Sequence, residues 1–390
     1  MNNSMKWRIP VLIFAVFCLG FGGATPEQSL RGAAQASGLL IGTAVRPTQL
    51  SEAAYASTLA REFNMLEPED ALKWEMVHPE PESFDFSQAD QVVDFATRHG
   101  MKVRGHTLVW HHQNPKWLTE GKFTSAQLAE ILERHIKTVV GHYRGRIFAW
   151  DVVNEAFDEL RPGTLRSTIW SNQPEIGFDA NAGPNIVGSD EPQASGNSAR
   201  SEFEARSPQQ TYSYIERCFR WAHEADPQAL LFYNEAEAET INPKSDAIYA
   251  MVRDFRQRGV PIDGVGFQMH IANLRADAAS ISANINRFTA LGVQVHITEL
   301  DVALPVDANG DPRPEDLQRQ ADIYRDIASA CLSHPGCTAI QTWGFTDKYS
   351  WIGSHSKKTQ GAALLFDRNY RAKPAYDALR KTLAQPRSRD

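Results

Sequence analysis

The sequence lacks the short motifs that mark several common enzyme classes. Neither G-x-G-x-x-G nor G-x-x-x-x-G-K-[ST] follows an early apolar run, which leaves a nucleotide-binding function without support. G-x-S-x-G is also missing, which argues against a serine hydrolase. The net charge of -7 at pH 7 argues against nucleic acid or an anionic membrane as a partner, whereas a neutral polymer would be indifferent to it.

Cysteine is scarce, with four residues among 390, and no Cys/His spacing suggests a structural metal. Cys331 and Cys337 bracket the short segment CLSHPGC, which contains a turn-forming Pro-Gly pair. We expect these two to form a disulfide. Cys218 lies in the helix-like pattern YIERCFRWAHEA and is expected to be a buried free thiol.

A long apolar run occurs only near the N-terminus. Lys6 and Arg8 precede the apolar stretch from Val11 to Leu19, and small residues follow it at Gly22-Gly23-Ala24. This pattern is typical of a secretory signal peptide, and the stretch is short for a membrane anchor. We therefore predict a signal peptide over 1–24 and a catalytic domain over 25–390. Secretion to the periplasm or the extracellular space follows, with no membrane attachment after cleavage.

Strand-like and helix-like segments alternate along the rest of the chain. Runs rich in apolar and β-branched residues predict eight strands, at Leu39–Val45, Phe63–Leu66, Lys102–Trp110, Ile147–Val153, Ala229–Asn234, Gly264–Met269, Val293–Glu299 and Thr338–Gly344. Apolar residues at i, i+3 and i+4 predict helices between them, at Ser87–His99, Ser125–His142, Gln209–Ala225, Pro243–Arg258, Ala279–Leu291 and Glu315–Leu332. Ser87 and Ser125 are predicted N-caps, and Gly100 a left-handed helix stop.

This alternation predicts an α/β fold, a (β/α)8 TIM barrel that forms a single catalytic domain. An open doubly wound sheet remains the alternative, because the pattern does not show that the sheet closes. Residues 177–206, rich in Gly, Ser, Asn and Pro, predict a long loop after the fourth strand. Such a loop either borders a substrate cleft or is an insertion with no role.

Two glutamates stand at the ends of predicted strands. Glu155 ends the run IFAWDVVNE, and Glu299 ends the run VQVHITE. In an α/β barrel, the carboxyl ends of the strands gather the catalytic groups. Two carboxylates that face one cleft are what glycosidic bond cleavage requires.

Other polar and aromatic residues share this position at or just after strand ends. They are Glu69, Asp70, Lys73, Trp74, Arg104, His106, Trp110, Gln113, Asn154, Asn234, Gln268, His270, Asp301, Trp343 and Trp351. Tryptophan rings stack on the apolar faces of sugars, and amides, lysine and carboxylates bind hydroxyl groups. A phosphate site would need clustered Arg and Lys or a Gly-rich loop. The set therefore favours a sugar ligand.

Five segments of the sequence resemble those of a known protein family. GHTLVWHHQNPKWL, WDVVNEAF, VGFQMH, ITELDV and TWGFTDKYSW resemble the signatures of family 10 glycoside hydrolases, the endo-β-1,4-xylanases. The resemblance runs from about Ile41 to Tyr376. It implies a retaining mechanism, with the two catalytic carboxyl groups about 5–5.5 Å apart.

The resemblance also implies roles for single residues. Glu155 matches the general acid/base and Glu299 the nucleophile, while Asn154 matches the residue that binds the sugar 2-hydroxyl. His270 and Asp301 would hold Glu299 charged and aimed. The remaining implied substrate-binding residues are His106, Trp110 and Gln268 around the cleaved sugar, Trp343 and Trp351 over the glycone sugars, Glu69 and Lys73 at the next sugar, and Gln113.

The chain departs from the family pattern at two places. The family's Pro-Glu-Asn reads Pro68-Glu69-Asp70 here, and an ionised aspartate only accepts hydrogen bonds where asparagine also donates. The family's Asn-Asp-Tyr-Asn reads Asn234-Glu235-Ala236-Glu237, so the tyrosine platform for the leaving group is missing. We expect altered subsites on both sides of the scissile bond, with the loop over 177–206 as the candidate to replace the tyrosine.

The sequence thus predicts a secreted retaining endo-β-1,4-xylanase that acts on xylan or xylo-oligosaccharides. A barrel glycosidase for another β-glucan such as cellulose, and a non-catalytic polysaccharide binder, are the alternatives. No metal or other cofactor is implied, since two carboxylates suffice. We expect a monomer with no nucleic-acid partner.

Overall fold

The structure, a computed structural model, describes residues 29–171 and 212–387. The predicted signal peptide over 1–24 and the predicted loop over 177–206 lie outside the described residues. Within them, eight parallel strands are β1 Leu40–Val45, β2 Met65–Pro68, β3 Lys102–Gly105, β4 Ala149–Asn154, β5 Leu230–Glu235, β6 Gly264–Phe267, β7 Gln294–Val302 and β8 Cys337–Thr342.

The eight strands close into a barrel. Each strand pairs in parallel with the next, and β8 pairs with both β7 and β1, for example Ile340 with Ile41. Closure excludes the open doubly wound sheet and confirms the (β/α)8 prediction. It also brings the carboxyl ends of all eight strands to one rim.

Nine longer helices accompany the barrel in the described part of the chain. They are α1 Leu30–Ser37, α2 Ala53–Glu62, α3 Ser87–Arg98, α4 Ser125–His142, α5 Ser213–Ala225, α6 Pro243–Gln257, α7 Ala278–Thr289, α8 Pro314–Leu332 and α9 Pro374–Leu383. The helices predicted from the pattern correspond to α3 to α8, and α1, α2 and α9 were not among them. Short helical turns at Trp74–Val77, Lys116–Thr119 and Ile352–His355, and a 3-10 turn at Pro47–Ser51, lie in connecting segments.

The predicted N-caps Ser87 and Ser125 are wrong by one residue, because each is the first residue of its helix. Thr124 caps α4: its hydroxyl accepts from the Gln127 amide, and the Gln127 side chain accepts from the Thr124 amide in return. This reciprocal pair satisfies two free N–H groups at once, which the serine could not do. At α3, the carboxylate of Asp85 accepts from the Ser87 amide. Gly100 has φ 60°, as predicted for a left-handed stop.

The disulfide prediction is confirmed by the bond between Cys331, at the end of α8, and Cys337, at the start of β8. Cys218 is a buried free thiol on α5, also as predicted. Among the described residues, no helix is both long enough and apolar enough to cross a membrane.

Candidate active site

Glu155 and Glu299 both lie at the rim formed by the carboxyl ends of the strands. Glu155 directly follows β4, and its amide donates to the carbonyl of Asn234 over 3.0 Å. Its backbone is left-handed, with φ 54°. Glu299 lies within β7, which runs on to Val302 rather than ending at Glu299 as predicted. The longer strand also carries Asp301.

A chain of amide side chains connects the two carboxylates. Asn234 donates from Nδ2 to Glu299 Oε1 over 2.8 Å and to Asn154 Oδ1 over 2.9 Å. Gln268 donates from Nε2 to Asn154 Oδ1 over 3.2 Å and to Glu155 Oε1 over 2.8 Å. The two glutamates therefore belong to one hydrogen-bonded array, with Asn154 at its centre. Asn234 was placed at a strand end from the sequence, but no role was predicted for it.

Glu299 is buried and held as an anion. Burial opposes its ionisation, but hydrogen bonds from His270 and Asn234 and the charges of His106 and His270 lower its pKa below the usual value. His270 donates from Nε2 to Glu299 over 3.1 Å and from Nδ1 to Asp301 over 3.0 Å. Trp351 donates from Nε1 to the same oxygen of Asp301 over 2.8 Å.

His270 keeps its proton although its surroundings are enclosed. Burial favours the neutral ring, but the charge of Asp301 and the hydrogen bonds to Asp301 and Glu299 raise the pKa of His270 well above the ordinary value. The ring is therefore a cation that donates to both carboxylates. The predicted network around Glu299 has the geometry that this role requires.

Glu155 has different surroundings. Trp110 donates from Nε1 to its Oε2 over 2.8 Å, Gln268 donates to its Oε1, and Asn154 donates to Oε1 over 3.3 Å. The Nδ1 atom of His111 lies 3.9 Å from Oε2. Burial lowers the pKa of His111 to about 2, so this ring is neutral. Among residues 29–171 and 212–387, no cation lies as close to the Glu155 carboxylate as His270 lies to that of Glu299.

A buried group of charged side chains fills the barrel beneath this array. His106 Nδ1 lies 3.0 Å from Asp151 Oδ2 and 3.6 Å from Glu67 Oε1. Arg104 bonds both Asp151 and Glu67. Burial raises the pKa of Glu67 to about 8, whereas Arg104 and His106 lower that of Asp151 against the effect of burial. Burial opposes protonation of His106, yet Asp151 and Glu67 raise its pKa.

Glu67, His106 and Asp151 are also the group of described residues whose donor atoms lie close enough together to hold a metal ion. Both carboxylates already bond the guanidinium of Arg104. The positive charge of Arg104 beside both carboxylates therefore opposes the binding of a cation between them. Of Glu67, His106 and Asp151, only His106 has a role predicted from the sequence.

The predicted glycone side is built around Lys73. Its Nζ atom lies 5.0 Å from the ring centre of Trp110 and 5.7 Å from that of Trp343, and it bonds Asp70 over 3.0 Å. Trp343 meets His106 edge-on at 5.3 Å, and Trp351 meets His270 at 5.1 Å. The two tryptophans thus lie next to the residues around Glu299; their place over the glycone sugars stays a prediction.

Arg46, at the end of β1, is a residue of this region that the sequence analysis missed. Its guanidinium bonds Glu69 over 2.7 Å and Asp70 over 3.0 Å. Burial opposes ionisation of Asp70, but Lys73 and Arg46 lower its pKa. The aspartate that replaces the family's asparagine is therefore an anion shared by two cations. An arginine directly after a strand was the signal that could have revealed it.

Gln113 is set apart from the rest of the predicted residues. Its amide donates to Glu75 over 3.0 Å, and its backbone is left-handed, with φ 49°. The hydrogen bonds found for it in the described structure go to neither Glu155 nor Glu299. The structure places Gln113 on the segment that leads from the rim into the turn at Lys116–Thr119.

The chain is similar to known proteins over most of its length. The sequence matches the family described as glycosyl hydrolase family 10 over residues 29–179 and 191–382. It is 42% identical over 331 residues to endo-1,4-beta-xylanase B of Thermotoga neapolitana, covering 85% of this chain and 84% of that one. A beta-1,4-xylanase of Dictyoglomus thermophilum is 37% identical over 387 residues, covering 96% and 98%.

A solved structure is similar over nearly the same length. Xylanase 10B from Thermotoga petrophila RKU-1, crystallised in complex with xylobiose, has a TM-score of 0.79 and 39% sequence identity to this chain. The match covers 93% of this chain and 98% of that one. Fold and sequence similarity therefore extend over the whole barrel.

Proposed function

Because the chain belongs to glycosyl hydrolase family 10, we propose that it is a retaining endo-β-1,4-xylanase that hydrolyses internal xylosidic bonds of xylan by double displacement. The observation that carries the proposal is the array joining Glu155 and Glu299 through Asn234, Asn154 and Gln268. It gives two carboxylates one frame but different electrostatic surroundings, as acid and nucleophile require.

In the first step, Glu299 attacks the anomeric carbon. The His270 cation keeps Glu299 ionised before the attack, so that no proton has to leave it. Glu155 protonates the glycosidic oxygen as the bond breaks. A covalent glycosyl-enzyme forms, and the shortened chain leaves from the other side.

In the second step, Glu155 acts as a base. It removes a proton from water, which attacks the anomeric carbon and releases Glu299. Two inversions at one carbon retain the configuration. Asn154, bonded by both Asn234 and Gln268, uses its remaining capacity for the 2-hydroxyl, a contact that strengthens as the sugar approaches the transition state.

The first test compares substrates and products. Purified protein should release reducing sugar from xylan much faster than from cellulose, and proton NMR should show the β-anomer first. Faster release from cellulose would favour the β-glucan alternative. Release from neither polymer would favour a non-catalytic binder.

The second test addresses the two glutamates. Glu299→Gln should lower kcat by at least about 10³-fold, because the nucleophile is lost. Wild-type hydrolysis by this variant would contradict the assignment. EDTA should leave the rate unchanged, since two carboxylates carry out the chemistry; an EDTA-sensitive rate would point to a metal.

We also propose that the enzyme is secreted after cleavage near residue 24 and acts as a monomer on polymer outside the cytoplasm. The apolar segment behind Lys6 and Arg8 supports export. N-terminal sequencing of protein recovered from the culture medium or the periplasm tests the cleavage, and light scattering tests the monomer.

A further inference from the structure

The backbone that carries Glu155 is held in an unfavourable conformation. Its φ of 54° lies in the left-handed region, where a side chain with a Cβ is disfavoured. Such a conformation persists only where the surrounding structure holds it. The question is which groups hold it, because the position of the Glu155 carboxyl depends on them.

Two side chains of the neighbouring strand β5 bind the backbone just after Glu155. The hydroxyl of Tyr233 accepts from the amide of Ala156 over 3.0 Å. The carboxylate of Glu235 accepts from the amide of Phe157 over 3.2 Å. These are consecutive amides, so together the two side chains fix the direction in which the chain leaves β4.

The two side chains are themselves locked in place. Tyr233 donates its hydroxyl proton to Glu235 Oε2 over 2.6 Å. Lys244, on α6, donates from Nζ to Glu235 Oε1 over 3.1 Å, and the Ala236 amide donates to the same oxygen over 3.2 Å. Glu235 therefore accepts four hydrogen bonds, two at each carboxylate oxygen.

This group is deeply buried. Tyr233 and Glu235 are 0% exposed, and Lys244 is 2% exposed. Burial raises the pKa of Glu235 to about 7, an effect that Lys244 opposes and that the charge of Glu155 increases. The Glu235 carboxylate thus interacts electrostatically with the Glu155 carboxylate.

From these contacts we propose that Tyr233, Glu235 and Lys244 are positioning residues that hold Glu155 at the leaving oxygen. This inference rests on the proposed function, because it takes Glu155 as the acid/base. None of the three contacts substrate in this arrangement. Their effect passes through the backbone of Ala156 and Phe157, and a displacement of about 1 Å at a catalytic group can cost about 10²-fold in rate.

The leaving group provides the readout. The dinitrophenolate of 2,4-dinitrophenyl β-xylobioside departs without a proton, whereas the leaving group of phenyl β-xylobioside needs one from Glu155. The value of kcat/KM reports the steps up to formation of the glycosyl-enzyme. The ratio of kcat/KM between the two substrates therefore isolates acid catalysis by Glu155. Tyr233→Phe and Glu235→Gln should lower kcat/KM by about 10- to 100-fold for phenyl xylobioside. For dinitrophenyl xylobioside the fall should stay within about threefold.

A matched buried pair supplies the control. Lys373 bonds Asp347 over 2.9 Å, and both side chains are under a tenth exposed, but the pair does not bind the backbone after Glu155. Lys244→Met and Lys373→Met both leave a buried carboxylate unpaired. Only Lys244→Met should change the ratio between the two xylobiosides. Equal falls with both substrates, or the same ratio change in Lys373→Met, would overturn the proposal.

The same assay separates failure of the inference from failure of the proposed function. Glu155→Gln should show the leaving-group dependence in its strongest form. If wild-type protein cleaves neither xylobioside, or if Glu155→Gln shows no dependence, the assignment of Glu155 is at fault. If Glu155→Gln behaves as expected and the Tyr233 and Glu235 variants do not, the inference alone is wrong.

Discussion

The imidazole of His270 donates to the carboxylate of Glu299 over 3.1 Å. Because Asp301 binds the other nitrogen of the ring, the cation persists beside the nucleophile and lowers its pKa against the effect of burial. A nucleophile must be ionised to attack, so a lowered pKa extends activity to lower pH. The contact therefore has a measurable consequence.

His270→Asn should move the acidic limb of the kcat/KM profile to higher pH. Loss of the cation lets burial raise the pKa of Glu299, so activity at pH 5 should fall further than activity at pH 7. The measurement is kcat/KM for a xylo-oligosaccharide between pH 4 and 8. His334→Asn, a change at a half-buried histidine that bonds Ser282, is the control. A parallel loss at every pH would show that His270 does not tune Glu299.

Arg46 and Asp70 should behave as a coupled pair. Arg46→Gln leaves Glu69 and Asp70 with Lys73 as their closest remaining cation, which should weaken binding of the second glycone sugar by about tenfold. Asp70→Asn alone leaves Arg46 and Lys73 facing a neutral amide, which should also weaken binding of the second glycone sugar. The double variant restores the family's asparagine without the excess cation and should recover most of the loss.

The readout for this pair is the ratio of kcat/KM for an aryl xylobioside to that for an aryl xyloside, because the ratio isolates the second sugar. Losses that simply add in the double variant would contradict the coupling.

Ala236 should limit binding on the leaving-group side. The chain has alanine where the family has a tyrosine platform, and this residue follows the β5 strand directly. Ala236→Tyr should raise kcat/KM for xylotetraose by about fivefold, the equivalent of about 1 kcal/mol of stacking. An aryl xylobioside, which places no sugar there, should be unaffected. Ala236→Leu supplies bulk without an aromatic face as the control. No gain with tyrosine would mean that another residue already fills this place.

His135 should contribute to acid sensitivity of the fold. Its ring stacks on Trp74 at 3.6 Å, and its Nδ1 lies 3.2 Å from that of His78. Burial lowers the pKa of both rings, that of His135 strongly. The unfolded chain therefore binds more protons below about pH 6.5, and stability falls as pH drops from there.

His135→Phe keeps the stack and removes the titration, so the fall in Tm between pH 7 and pH 5 should shrink. His142→Phe, at a half-exposed ring that stacks on Phe86, is the control. An unchanged pH dependence in the His135 variant would contradict the expectation.

Helices and strands that follow a regular apolar pattern were predictable from the sequence. The helix over Ser125–His142 has the predicted bounds, because its buried residues recur at helical spacing. The N-caps were harder to predict, because Thr124 and Ser125 both carry a hydroxyl group. Only Thr124 has, three residues later, a side chain (Gln127) that accepts a hydrogen bond from the amide of the cap residue. β3 ends at Gly105 and not at Trp110, because the apolar run continues beyond the last ladder pairing into the rim.

The sequence by itself determined which residues meet at one edge: local periodicity places Glu155, Glu299 and His270 near strand ends, and parallel strands share their carboxyl ends. Only the tertiary structure decided how these side chains are coupled. The link from Asn234 to Glu299 spans 65 residues, and that from Gln268 to Glu155 spans 113. The protonation states of Glu299 and His270, the sharing of Asp70 between Arg46 and Lys73, and the support of Glu155 from β5 arise from burial and charge at close range, which no local pattern records.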